Sequence, residues 1–139
     1  MAELLVFDTP VARVAKPRIT YMASYPPREC GIATFTKDLV EAVDRTYPGN
    51  PGRIVALNES QGTYRYGPEV KFAVTVDDLD SYREAAHYVN RSKAELLCIQ
   101  HEYGIFGGEH GENIFAFLDV LQKPLVITLH TVLPEPGDH

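Results

Sequence analysis

Five short apolar runs, at 19–23, 54–57, 70–74, 96–99 and 125–129, punctuate this chain, and most are separated by stretches whose apolar residues recur at helical spacing. Ile32, Phe35, Leu39, Val40 and Val43 share one helical face in a helix predicted over about 33–45, ended by Tyr47-Pro48-Gly49. A second helix, capped by Asp77 or Asp78 and running to about Ser92, gathers Leu79, Tyr82, Ala85, Ala86 and Val89. A third carries Ile114, Phe117, Leu118 and Leu121 and closes at Lys123-Pro124. Strands alternating with helices imply an α/β three-layer sandwich around a mainly parallel, Rossmann-like sheet. The continuous apolar run at 96–99 is that of a strand covered on both faces, and 125–129 reads as a last buried strand. The polar connection 58–68 is short for a helical crossover, so the strand at 70–74 is either an antiparallel edge or a parallel strand reached by a plain loop.

With 139 residues, the chain is one domain long and can bury a real core. No apolar run approaches the ~18 residues of a membrane span. The net charge of -6, with no clustered Lys and Arg, argues against a nucleic-acid partner. Cys30 and Cys98 are too few for a disulfide framework, and Met1-Ala2-Glu3 lacks the basic region of a leader, so a reducing cytoplasm fits. Residues 1–17 form an arm or edge element around Leu4-Leu5-Val6-Phe7, the main domain spans 18–133, and 134–139 are a tail.

In parallel sheets of this kind, ligands bind beyond the carboxyl ends of the strands, where strand order reverses. The loops after the first, fourth and fifth strands hold most of the unusual residues. After the first, Gly31 opens a helix and leaves N-H groups, with Ile32, aimed at an anion. The alternative is that Gly31 only makes a turn. After the fourth, His101 and Glu102 precede Gly104, Gly107 and Gly108, which allow close backbone approach. They either reach a ligand or satisfy the loop's own hydrogen bonds. After the fifth, His130 sits where it could serve a hydroxylated substrate or a developing charge.

Two sharper chemistries find little in the spacing. Cys30 at a helix start has the setting of an activated thiol, but no base can be assigned to it. His101, Glu102, His110 and His130 could cluster around a metal, yet there is no His-Glu-x-x-His helix and no paired cysteine set. No metal and no cofactor are expected.

The ordered set Tyr25-Pro26-Pro27-Arg28-Glu29-Cys30-Gly31-Ile32-Ala33-Thr34-Phe35, then Gln100-His101-Glu102-Tyr103-Gly104-Ile105-Phe106-Gly107-Gly108, then Thr128-Leu129-His130-Thr131 resembles the N-terminal half of a GT-B glycosyltransferase of retaining family 4. The resemblance covers about residues 18–133. It implies transfer of a sugar from a nucleotide diphosphate-sugar to an acceptor hydroxyl, with His130 as the catalytic residue beside the transferred sugar. It places Cys30, Gly31 and Ile32 near the donor diphosphate and the acceptor, His101 and Glu102 on the acceptor side, and Gly104, Gly107, Gly108 and Thr131 around the substrates. The family's donor-binding second domain would follow His139, so the chain is expected to be inactive alone. Self-association and peripheral membrane contact stay open as further partners. The alternatives are a stand-alone nucleotide- or anion-binding module and a protein-interaction domain.

Overall fold

A computed structural model describes residues 15–135; most of the predicted arm and tail lies outside them. The elements run β1 (Ile19–Ala23), α1 (Gly31–Thr46), β2 (Arg53–Asn58), β3 (Val70–Thr75), α2 (Leu79–Arg91), β4 (Leu96–His101), a 3-10 turn (Tyr103–Ile105), α3 (Ile114–Leu118) and β5 (Leu125–Leu129). The five strands make one sheet in the order β3-β2-β1-β4-β5, and every pairing is parallel. This is the expected Rossmann-like α/β sandwich. β3 is a parallel strand at one edge of the sheet, and the loop 59–69 replaces a helix in reaching it, with Tyr66 packed on the same core as α1.

Alternation along the buried strands sends side chains to two unequal cores. Met22, Val55, Leu57, Val74, Leu97 and Ile99 pack with Tyr82, Ala85, Ala86 and Val89 of α2 and with Ile114 and Phe117 of α3. On the other face Tyr21, Tyr25, Ile54 and Ala56 meet Val40 of α1 in a smaller cluster. β1 and β2 are covered on both faces, which is why their runs are almost wholly apolar.

Local chemistry sets the helix ends. α1 begins at Gly31 because the Cys30 sulfur accepts the Ala33 N-H, making Cys30 its cap. Of the two candidate caps for α2, Asp78 serves, accepting from the Asp80 N-H at 3.0 Å. The helix predicted through Leu121 ends at Leu118 instead. Asn90 takes over there: its amide nitrogen donates to the Val120 carbonyl at 2.8 Å and its oxygen accepts the Gln122 N-H at 2.7 Å. A side chain of α2 thus satisfies backbone groups that further helical turns would have used.

The expectation of a buried β5 is overturned. The strand is exposed along its whole length, with Val126 at 49% and Leu129 at 58%. β5 is the sheet's other edge, and neither helical layer extends over it among the described residues. An apolar run records a capacity to be covered, and the cover must come from other elements.

Candidate functional site

Because β1 lies between β2 and β4, the chain leaves it in one direction through α1 and returns on its other side through α2, which makes the β1-β4 boundary the point where strand order reverses. The loops after β1, β4 and β5 meet at the carboxyl ends of these neighbouring strands.

The loop after β1 is held by its own side chains. Ser24 is buried and its hydroxyl lies 3.0 Å from the Cys30 sulfur, which in turn accepts the Ala33 N-H at 3.4 Å. The Pro26-Pro27 bond is cis. Arg28 donates from Nη1 to the Leu57 carbonyl at 3.1 Å, tying the loop to the end of β2. Its Nε lies 3.1 Å from Glu59 Oε1, yet that N-H is not aimed at the carboxylate, so the contact is an ion pair rather than an aligned hydrogen bond. The Thr34 N-H bonds the Cys30 carbonyl at 3.2 Å. Gly31 and Ile32 keep N-H groups with no acceptor among the described residues. A Cβ added to Gly31 would meet nothing within 4 Å, and its φ is not positive, so the fold itself does not require glycine there.

His101 ends β4 with its ring stacked on Phe106, centroids 5.3 Å apart and planes 14° apart, and with Tyr103 edge-on at 5.2 Å. Its Nδ1 is buried without a hydrogen-bond partner among the described residues. Burial holds the imidazole pKa below the ordinary 6.5; Glu102 opposes this and His130 adds to it. The unfolded chain therefore takes up the His101 proton at higher pH than the folded one. Stability should be complete above about pH 6.5 and fall as the pH drops below it, levelling off once folded His101 has itself protonated. Urea midpoints followed from pH 7 downward should show this fall, and His101→Gln should flatten it.

Glu102 caps the 3-10 turn by accepting the Tyr103 N-H at 3.0 Å, and its second oxygen accepts the Thr131 hydroxyl. His130 extends the β4-β5 pairing, its N-H donating to the His101 carbonyl at 2.9 Å. Its Nε2 is 2.8 Å from Gln100 Oε1, and its ring meets the Phe35 ring edge-on at 4.7 Å. An amide oxygen only accepts, so His130 Nε2 carries the hydrogen, and in the neutral ring Nδ1 is the open acceptor. The Gln100 amide is orientated the same way by its Nε2, which lies 3.4 Å from the Cys98 sulfur.

Phe35, about one turn past Gly31 on α1, meets His130, and His130, Thr131, His101 and Glu102 interlock at the ends of β4 and β5. The glycines after β4 divide. Gly104 is exposed with open space around it. Gly107 and Gly108 have φ of +66° and +79°, and a Cβ on Gly107 would lie 2.2 Å from the Val76 carbonyl oxygen. The close backbone approach at Gly107 is therefore to the chain's own backbone beyond β3. Among the described residues, no three His, Cys, Asp or Glu side chains are grouped to hold a metal ion.

Gln100, Phe35 and Phe106 were not singled out by sequence as site residues, although they fix the two imidazoles. A polar residue ending the apolar run 96–99 was the available signal, since a buried amide must find partners. Comparisons of the chain with protein-family models, with curated proteins and with solved structures found no match.

Proposed function

We propose that this chain is the acceptor-side domain of a retaining glycosyltransferase, contributing one wall of a site that moves a sugar from a nucleotide diphosphate-sugar to an acceptor hydroxyl. The observation that carries the reading is the open pair of N-H groups at Gly31 and Ile32 on a helix whose Phe35 meets His130, a histidine whose ring is fixed by a buried glutamine. In such a transfer the departing diphosphate gathers negative charge, and a helix N-terminus offers it preorganised donors and positive potential. His130, held through Nε2, would turn its remaining nitrogen to the sugar's hydroxyls. Glu102 and Thr131 would shape the acceptor side together with His101. Turnover requires the donor-binding domain, so this chain alone should transfer nothing. A cytoplasmic setting suits the two free thiols, and no helix among the described residues is long and apolar enough to cross a membrane.

Amide shifts in titrations with inorganic phosphate and a nucleotide diphosphate-sugar test the reading. An exposed helix end contributes only ~0.3 to 1 kcal/mol, so shifts should centre on Gly31 to Thr34, extend to His130 and saturate only at high concentration. Gly31→Val should abolish them while leaving the melt unchanged, because the added side chain enters open space from which it can obstruct the ligand but not the fold. Shifts that ignore the variant, or sugar transfer by the pure chain, would refute this account.

A second reading, a protein-interaction domain, is favoured by the exposed apolar side chains of β5 with Phe115, Val132 and Leu133 around 50% exposure or more. Self-association through that edge belongs to this reading.

A further inference from the structure

At the opposite end of the sheet from these loops, a cavity of about 340 Å³ opens between the start of β1, the start of β2 and the segment joining α2 to β4. Its volume falls within the range of small-molecule sites, ~300 to 1,000 Å³. Three cations line it, Arg18, Arg53 and Lys93, in a chain whose net charge is -6.

The cations are differently tied. Arg18 Nε donates to the Lys93 carbonyl at 3.0 Å and lies 3.7 Å from Glu95, which fixes the guanidinium. Its two terminal nitrogens have no partner among the described residues. Neither the Arg53 nor the Lys93 side chain forms a hydrogen bond or ion pair among those residues. Glu95 offsets one of the three charges and leaves two. The carboxyl end of α2 would lower the local potential, but Lys123 Nζ donates to the Ser92 carbonyl at 3.2 Å and counters it. Asp44, an acid of α1 beside the start of β2, is engaged by Lys16 and the Gly52 N-H. Tyr88 supplies an aromatic wall, tilted 32° against Phe72.

We infer that this cavity binds a small phosphate monoester carried on a planar ring. Two uncompensated cations match a dianion, the anchored Arg18 fork suits phosphate oxygens, and the aromatic side chain of Tyr88 lines the same cavity. Strands of five or six residues separate this cavity from the Gly31 loop by roughly 17 Å, so the two sites give separate signals.

Phenyl phosphate is the probe, with inorganic phosphate beside it, read by amide shifts on the full chain. Saturable shifts should centre on Arg18 to Thr20, Arg53 and Ser92 to Ala94, with phenyl phosphate binding more tightly than phosphate. The double variant Arg53→Gln, Lys93→Gln changes two exposed side chains and should weaken phenyl phosphate about tenfold or more, since charge-assisted bonds are the strong ones. An unchanged melt of that variant keeps the loss interpretable. Affinity unaltered by the double variant, shifts scattered over surface lysines without saturation, or equal affinity for the two probes would overturn the inference. Shifts at Gly31 to Thr34 with this cavity silent would overturn it too, while leaving the proposed function standing.

Discussion

Tyr82→Ala should remove about 3 to 5 kcal/mol of stability, the range for deleting a large buried ring, a large share of the ~5 to 15 kcal/mol that holds a domain folded. Tyr82 has no exposed surface and sits where α2 meets Met22, Val55 and Leu57 of the sheet and Phe117 of α3. Its hydroxyl donates to the carbonyl of Phe106, itself fully buried. Burial pushes the phenol pKa upward, so it remains a donor throughout the working pH range. Tyr82→Phe keeps the ring and strands only the Phe106 carbonyl, for about 1 to 3 kcal/mol. Urea midpoints of the two variants should separate clearly. Near-equal losses would mean that the hydrogen bond, rather than the ring, carries the contact.

Gly107→Ala should cost about 3 kcal/mol, combining left-handed strain with displacement of a neighbouring backbone. At φ +66° the new Cβ would sit 2.2 Å from the Val76 oxygen and 3.0 Å from Asn113 Nδ2. Asn113 donates to that same Val76 oxygen at 2.9 Å, so neither neighbour yields freely. Because Phe106 adjoins Gly107 and stacks on His101, the change should also move the His101 ring resonances. Gly104→Ala is the control. With nothing within 4 Å of its Cβ and no positive φ, it should stay within about 0.5 kcal/mol of the parent. A large loss at Gly104 and a small one at Gly107 would reverse the assignment of which glycine the fold demands.

The sheet was legible in the sequence because its central strands are short, apolar and separated by amphipathic helices, a pattern with few packed solutions. An aspartate cap for α2 was legible from a short acceptor side chain before an apolar face, but not which of Asp77 and Asp78 would serve. β5 was misread because a continuous apolar run says nothing about whether neighbours exist to cover it. α3 was misread because Leu121 keeps the helical spacing, while Asn90, 31 residues earlier than Leu121, withdraws the backbone from it. At the site, the end-of-strand positions of His101 and His130 could be read, since strand ends are local. Their partners Gln100, Phe35 and Phe106 could not, because the register of β4 against β5 and the height of α1 above them are tertiary quantities. Cys30, readable as a thiol at a helix start, emerges with its sulfur occupied as a cap.

The central position of β1 has a kinetic consequence. The strand synthesised first among the five must finish with neighbours on both sides, and these arrive at very different times. Pairing with β2 closes a local unit through α1, but Ile19 meets Leu96 only after β2, β3 and α2 have been made. Until then one flank of β1 is an open template, and the loop-closure entropy for its second partner is still to be met. Folding should accordingly show an early β1-α1-β2-β3 nucleus and a later step in which β4 docks. Replacements at Leu97 and Ile99 should speed unfolding more than they slow folding, and those at Val55 and Leu57 should do the reverse.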